Sequence, residues 1–391
     1  MKPKLWNANY IKVLVANFLI YMSFMLLVPL LPLYMSETFG ADKHTIGIVL
    51  AGYTLAALLI RPFSGFLVDT MPRKVVLLVS HFLFFAFFAG YLIAGSITLF
   101  AIVRTLHGTP FGTLSVAQNT AAIDVLDSSR RAEGIGYFGL SNNLGLALSP
   151  SLAIFMIQLT NSYDVLFCLS LLFSLMSLII NASIKMPVRN IVKEKPILSL
   201  DRFILLKGWS EGFCIICFSF AYGVLSTYLA IYGKEKLGIT QGTGVFFSLV
   251  AIGLIISRLT GVANLRKGKI LKNAAIGVVT SMIAYFLFAT IHQSWAYYCS
   301  AFIIGLGNGH FYPAFQTMFI NLAEHSQRGT ANSTILTSWD LGLGLGILLG
   351  GIIAEATTYN TAFWMGAIVN SFGVLMFFFY VRSHFLHKRL R

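Results

Sequence analysis

The chain alternates long apolar runs with short polar links. A membrane-spanning helix needs roughly 20 predominantly apolar residues, and runs of this length follow one another along almost the whole sequence. The pattern therefore predicts an all-α membrane protein. It predicts twelve transmembrane helices, at 10–34, 45–68, 75–95, 97–123, 136–159, 164–184, 204–232, 241–263, 273–291, 295–322, 330–354 and 361–381.

The composition supports a lipid bilayer as the surroundings of this chain. Hydrophobic residues make up 57% of it and charged residues only 11%, whereas about a quarter of the residues of a soluble domain are charged. Cys214 and Cys217 form a CxxC pattern within an apolar run, but no second ligand pair accompanies them. We therefore expect no metal site.

The net charge of +14 raises the question of nucleic-acid binding. With both termini placed in the cytoplasm, most lysines and arginines fall on the cytoplasmic side of the twelve helices, from Lys2 and Lys4 at the start to Lys388 and Arg389 at the end. This distribution is the positive-inside bias of membrane proteins. It predicts cytoplasmic termini and no nucleic-acid partner.

A repeat divides the chain into halves. The longest polar stretch, Met186 to Arg202, separates six predicted helices from six, and an offset of 197 residues superposes notable positions without gaps. Six helices per half give corresponding helices the same orientation, which defines a parallel repeat. We expect an N-terminal bundle at 1–185, a cytoplasmic loop at 186–203 and a C-terminal bundle at 204–391. The superposed pairs include Gly47 with Gly244, Arg61 with Arg258, Gly108 with Gly305, Gly112 with Gly309, Arg131 with Arg328, and Gly145 with Gly342.

Several function classes lack their motifs in this sequence. It has no G-x-x-x-x-G-K-[ST] phosphate-binding loop, no H-E-x-x-H and no G-x-S-x-G, and no run long enough for a substantial soluble domain separates the helices. We therefore expect neither an ATP-driven pump nor an enzyme, and no cofactor.

The link after the second predicted helix carries a motif. GFLVDTMPRK, from Gly65 to Lys74, resembles the G-x-L-x-D-R-x-G-R-K signature that the major facilitator superfamily carries between helices 2 and 3. Gly65, Asp69, Arg73 and Lys74 match, whereas Thr70 and Pro72 depart from it. Asp69 can face the positive end of another helix, and the acids available to Arg73 and Lys74 are Asp124 and Asp127.

Two further motifs are similar to those of this superfamily. RTLHGTPFG, from Arg104 to Gly112, resembles R-x-x-Q-G-x-x-x-G in helix 4, with His107 at the Gln position. Gly136, Gly145 and Ser149-Pro150 keep the helix 5 spacing of the drug/proton antiporter branch. The resemblance covers essentially the whole chain and implies the major facilitator fold, two six-helix bundles around a central pathway.

Ionisable residues inside membrane helices are expensive and are therefore functional candidates. His81 lies close enough to the cytoplasmic end of its helix to be interfacial. Asp340 lies within the apolar run of the eleventh helix, and Arg61 lies at a similar depth in the second. The superfamily architecture packs these two helices together, so we expect an Arg61–Asp340 pair, either structural or switchable by protonation. The candidates for proton coupling and for a latch between the halves are Asp340, Arg61, Arg104 and Glu211.

The resemblance implies a substrate cavity lined by helices 1, 4, 7 and 10. Aromatic and neutral polar side chains on these helices suit an amphipathic organic molecule, although packing alone explains many such positions. The candidates are Asn17, Tyr21, His107, Phe111, Gln118, Tyr222, Asn308, His310, Tyr312 and Gln316.

These inferences predict a proton-coupled exporter of a small organic compound in the bacterial inner membrane. Its partners would be the small-molecule substrate, protons and the lipid bilayer, and we expect a monomer. The alternatives are a proton symporter that imports a small metabolite and an exporter of a lipid or a metallophore. A receptor or scaffold is the least favoured class, since nothing beyond the helices is available for signalling.

Overall fold

The residues that the structure describes form twelve long helices. The structure is a computed structural model and describes residues 4–28, 30–187, 200–239 and 242–390, so most of the predicted cytoplasmic loop at 186–203 lies outside the described residues. The long helices are α1 Ala8–Met25, α2 Lys43–Thr70, α3 Arg73–Ile93, α4 Ile97–Asp124, α5 Arg131–Thr160, α6 Asp164–Ser183, α7 Trp209–Leu237, α8 Gly242–Arg266, α9 Ile270–Thr290, α10 Ser294–Leu322, α11 Arg328–Ala356 and α12 Tyr359–Met376.

The first predicted helix differs from the observed one. α1 ends at Met25, and a separate short helix follows at Leu31–Phe39, so the prediction of one continuous helix over 10–34 is wrong. Pro32 lies in the first turn of the short helix. Proline has no backbone N–H, and in the first turn that group would have no partner within the helix. In a helix interior the proline would interrupt the hydrogen bonds. At the other end of the chain α12 continues through a π-helical turn, Phe377–Val381, into the helix Arg382–Lys388.

The chain divides into two compact units. Unit 1 comprises Met1–Arg130, Ser141–Ile204 and Gln327–Ser333, and unit 2 comprises Arg131–Leu140, Leu205–Ser326 and Thr334–Arg391. The first ten residues of α5 are thus grouped with unit 2 and the first turns of α11 with unit 1. This grouping differs from the predicted bundles at two short segments.

Equivalent helices pack together in the two units. α2 packs on α4, α3 on α4 and α6, and α1 on α6 in unit 1. In unit 2 α8 packs on α10, α9 on α10 and α12, and α7 on α12. Every pair of unit 2 is a pair of unit 1 advanced by six helices, as a parallel repeat requires.

Equivalent glycines allow close approach of two helices in each unit. A Cβ atom on Gly108 of α4 would collide with the carbonyl oxygen of Tyr53 in α2, and a Cβ on Gly305 of α10 would collide with that of Val250 in α8. Gly305 lies 197 residues after Gly108, and Val250 lies 197 residues after Tyr53. The repeated glycines therefore permit the same helix contact in each half.

Nine helices among the described residues are long and apolar enough to cross a membrane. The remaining long helices are α4, α5 and α10. Large apolar side chains such as Leu59, Phe82 and Ile93 are exposed on the outer faces of α2 and α3. Exposed side chains of this kind suit contact with lipid.

Candidate functional site

Asp69, the penultimate residue of α2, caps the start of α11. Its Oδ1 accepts a hydrogen bond of 2.8 Å from the Gly329 amide, and its Oδ2 accepts bonds of 2.8 Å and 2.9 Å from the amide and the hydroxyl of Thr330. The first amides of a helix have no partner inside the helix, and the helix dipole favours an anion there. Asp69 satisfies both demands with one carboxylate.

Two acids and two arginines alternate next to this cap. Arg73 Nη2 lies 3.3 Å from Asp69 Oδ1 and its Nη1 binds Asp124 Oδ2, while Arg328 Nη1 lies 2.8 Å from Asp124 Oδ1. All four side chains are at most 9% exposed. The two positive and two negative charges balance, which is the condition for stable burial of ions.

Gly65 lets α2 and α11 approach at the same place. A Cβ on Gly65 would lie 2.5 Å from Ser333 Oγ and 2.9 Å from Thr330 Cα, and a Cβ on Gly329 would lie 2.7 Å from the Gly65 carbonyl oxygen. Ordinary Cβ contacts are longer than 3.4 Å. Glycine at both positions is therefore needed for the Asp69 cap to form.

Lys74 has a different role from Arg73. Its Nζ donates to the carbonyl oxygens of Asn181, Ala182 and Ile184, at 2.8, 2.8 and 2.6 Å. The expectation that Lys74 faces Asp124 or Asp127 is wrong, because the unpaired carbonyls at the end of α6 attract the ammonium group instead.

Arg104 is buried among aromatic rings of unit 1. Its Nη1 donates to the Tyr91 hydroxyl at 3.2 Å, and its guanidinium carbon lies 4.1 Å from the centre of the Tyr53 ring and 5.5 Å from that of Phe24. The side chain is 3% exposed. It forms no ion pair with Asp or Glu within the described part of the chain.

Glu211 pairs with a histidine near the C-terminus. The carboxylate is fully buried; Oε1 lies 3.1 Å from His384 Nδ1, and Oε2 accepts a 2.8 Å bond from the Ser210 hydroxyl. Glu211 is therefore enclosed between the start of α7 and the helix Arg382–Lys388.

The other candidate ion pair has one member in each unit. Arg61 is 6% exposed in α2, within unit 1, and Asp340 is half-buried in α11, within unit 2. Their pairing stays a prediction.

The helix 5 motif makes close contacts at each described position. A Cβ on Gly136 would lie 2.7 Å from Val262 in α8, and a Cβ on Gly145 would lie 2.7 Å from Tyr21 Cβ in α1. Ser149 donates to the Gly145 carbonyl oxygen. Pro150 lies in α5, and its side chain is outside the part of the chain that the structure describes.

The cavity candidates of unit 1 separate into two groups. His107 is fully buried and bonds to the Tyr91 hydroxyl at 2.8 Å, and Gln118 is bonded to Asn181 and the Val13 carbonyl oxygen. Both are enclosed by helices of their own unit. Asn17, which donates to Ser141, is buried in the same way. Tyr21 is half-buried, and Phe111, whose ring stacks on Phe24, is 8% exposed.

His81 contacts Asn181, the residue that also bonds to Gln118. Its Nδ1 lies 2.9 Å from Asn181 Nδ2, and the side chain is fully buried. α6 covers this side of α3, so His81 is enclosed by helices. Its interfacial depth in the membrane stays a prediction.

The cavity candidates of unit 2 gather partly around Trp339. The rings of Tyr222 and Tyr312 lie 6.1 Å and 5.3 Å from the Trp339 ring, and Tyr222 and Tyr312 are half-buried. His310 instead bonds to Asn273 at 2.9 Å. The remaining two, Asn308 and Gln316, are buried in α10.

A comparison with protein families identifies the fold's family. The profile described as Major Facilitator Superfamily matches residues 13–319 and 272–391. The chain belongs to the major facilitator superfamily. It is therefore a multi-pass membrane transporter and not an enzyme.

Relatives within the superfamily are distant. The quinolone resistance protein NorA of Staphylococcus aureus is 22% identical over 349 residues, covering 86% of this chain and 88% of the relative. An uncharacterised transporter of the superfamily from Escherichia coli, YhhS, is 22% identical over 356 residues, covering 89% and 86%.

Solved transporters share the fold. The outward conformation of FucP superposes with a TM-score of 0.81 at 15% identity, covering 96% of this chain and 99% of that one. The human organic anion transporter MFSD10 superposes with a TM-score of 0.79 at 16% identity, covering 94% and 98%. The predicted family and fold class, an all-α membrane protein of twelve helices in the major facilitator fold, are confirmed.

Some partners at these sites were missed by the sequence reasoning. Arg328, Gly329 and Thr330 complete the Asp69 cluster, and His384 completes the Glu211 pair. The offset of 197 residues makes Arg328 the repeat equivalent of Arg131. Sequence spacing does not indicate that Arg328 contacts Asp124.

Proposed function

We propose that this transporter is a proton-coupled exporter of a small amphipathic organic compound and that it works by alternating access. The observation that carries the proposal is the Asp69 cap with its neighbouring ion pairs. Alternating access needs contacts that form in one state and break in the other. Directional bonds from a single carboxylate to the first amides of α11 provide such a contact, since they are lost together when the helix start moves.

Two observations support export. The Gly136, Gly145 and Ser149-Pro150 pattern resembles that of the drug/proton antiporters, and the relative NorA is named for quinolone resistance. FucP is described as a fucose:proton symporter, but a likeness at 16% identity shows the fold alone. A proton symporter for a metabolite, or an exporter of a lipid or metallophore, is the alternative that the test must exclude.

Proton coupling is assigned to Asp340 with Arg61, and Glu211 is the second candidate. An ionised carboxylate in a membrane helix is costly without a cation, by about 2.5–3.5 kcal/mol on insertion scales. Protonation removes the charge and so removes the reason for pairing with Arg61. Proton uptake would thereby favour the state in which the pair is open, which couples the proton to the conformational change.

The proposal includes an orientation in the membrane. Both termini lie in the cytoplasm of a bacterial cell, because most cationic residues then fall on the cytoplasmic side of the inner membrane. The proposal also takes the protein to act as a monomer.

Inside-out membrane vesicles test the direction of transport. Vesicles with an acidic interior are supplied with fluorescent amphipathic dyes, and vesicles without the protein are the control. We expect dye accumulation that a protonophore abolishes. Accumulation only in right-side-out vesicles, driven by an inward proton gradient, would replace the exporter with a symporter.

A further inference from the structure

The environment of Arg104 identifies a cation without a described counter-ion. An arginine keeps its charge in proteins, and burying an ion away from water is costly. The Tyr53 and Phe24 rings offset only part of this cost, because a cation–π contact is weaker than the lost hydration of the ion. Because the offset is smaller than the cost, an anion at this position would stabilise the site.

The hydrogen bonds around Arg104 leave donors available. Only Nη1 of its nitrogens has a hydrogen-bond partner among the described residues, the Tyr91 hydroxyl, and Nε has none. Because the Tyr91 oxygen accepts from Arg104, its proton is directed to His107 Nδ1, 2.8 Å away. The His107 imidazole in this arrangement is neutral, with its proton on Nε2, and supplies no compensating negative charge.

A stack of aromatic rings lies beside the guanidinium. Phe24 stacks on Tyr53 with ring centres 5.0 Å apart and on Phe111 with ring centres 4.8 Å apart. The three rings come from α1, α2 and α4, and Phe24 and Phe111 each keep 8% of their surface exposed. The hydroxyl of Tyr53 has no hydrogen-bond partner among the described residues. The cluster therefore combines flat apolar surface, a spare hydroxyl and a cation.

We propose that Arg104 and the Phe24–Tyr53–Phe111 rings form an anion subsite for an aromatic carboxylate. The planar guanidinium fork matches a carboxylate in two parallel hydrogen bonds, and an aromatic ring attached to the carboxylate stacks on Phe24 or Phe111. The charge of Arg61 also acts on Tyr53, but Arg61 is the proposed partner of Asp340. The proposal rests on the proposed transport of organic compounds and names the chemical class of one substrate.

Equilibrium binding to the purified full-length protein tests the subsite. The probes are a naphthalene carboxylate and its carboxamide, which have the same shape and differ in charge. We expect the wild type to bind the carboxylate at least about tenfold more tightly, since a hydrogen bond to a charged group contributes roughly 1.5–3 kcal/mol. Arg104→Gln should remove this preference. Equal affinity of the wild type for both probes, or an unchanged preference in Arg104→Gln, would overturn the proposal.

Two further variants keep the test decisive. Arg382 also stacks on a ring, with its guanidinium carbon 5.7 Å from the Phe378 centre, but it is exposed near the end of the chain, so Arg382→Gln should retain the preference.

If Arg104→Gln does not fold, Arg104→Lys keeps the charge but loses the fork. It should weaken carboxylate binding several-fold and leave carboxamide binding unchanged, and equal weakening of both would contradict the subsite. Binding needs no gradient, so a failure here is separate from a failure of the vesicle assay.

Discussion

At the scale of single residues, Asp69 gives the sharpest prediction. Asp69→Asn removes the charge and presents an amide NH₂ group to the amides of Gly329 and Thr330, so at most part of the cap remains. Each charge-assisted hydrogen bond contributes about 1.5–3 kcal/mol, and we expect the transport rate to fall at least about tenfold with normal expression. Asp127 is exposed and bonds locally to Ser129. Asp127→Asn should transport normally; wild-type kinetics in Asp69→Asn would remove the cap from the mechanism.

Gly65 allows a second test at this scale. Gly65→Ala places a methyl group against Ser333 and Thr330, which would separate α2 from the start of α11 and weaken the Asp69 cap. Overpacking of this kind typically costs about 1–3 kcal/mol. Gly47 lies in the same helix, and a Cβ atom added there would have nothing within 4 Å, so Gly47→Ala is the matched control. Initial transport rates should fall in the first variant only, and equal rates in both would show that the close approach is dispensable.

The residue scale also shows how far the sequence can predict a site. The sequence motif and its expected neighbours predicted that Asp69, Arg73 and Asp124 lie close together. In the structure Arg73 contacts both acids. Arg328 could not be found in this way, because its contact with Asp124 spans 204 residues of chain. Nothing in the local pattern encodes such a long-range contact.

At the scale of helices, the Glu211–His384 pair ties α7 to the helix that follows α12. Leaving a buried polar group without its hydrogen-bond partner costs about 1–3 kcal/mol, so His384→Gln should lower the thermal unfolding midpoint in detergent. His387, one turn further along, is exposed and bonds within its own helix. His387→Gln should leave the midpoint unchanged. If the two variants unfold at the same temperature as the wild type, the pair does not anchor the C-terminal helix.

Helix existence was predictable from apolar runs, whereas the direction of individual side chains was not. α4 is surrounded by other helices along most of its length, so buried residues occur on every face. Periodicity therefore cannot separate a cavity-facing position from a packed one, and His107 and Gln118 lie within the bundle. The end of α1 at Met25 was not predicted, because the apolar run continues past it into the short helix Leu31–Phe39. Residues on both sides of a helix end stay apolar when both sides contact lipid or protein.

At the scale of the whole molecule, proton coupling requires an acid that reports the proton gradient to the transport cycle. Asp340 is assigned this role because it is ionisable within a membrane helix and because Arg61 provides a cation for its charged form. Arg61→Ala should therefore be as harmful as loss of the acid. Exchanging the charges, with Arg61→Asp and Asp340→Arg, should restore part of the pairing without restoring proton coupling.

Substrate accumulation by Asp340→Asn under an imposed pH gradient is the decisive test of this coupling. The variant and the wild type are compared in inside-out vesicles with an acidic interior, and substrate binding is measured on the same preparations. We expect that Asp340→Asn still binds substrate but accumulates it no further than vesicles without a gradient. Full gradient-driven accumulation by Asp340→Asn would contradict the proposed mechanism and move the proton site to another residue, with Glu211 as the first to test.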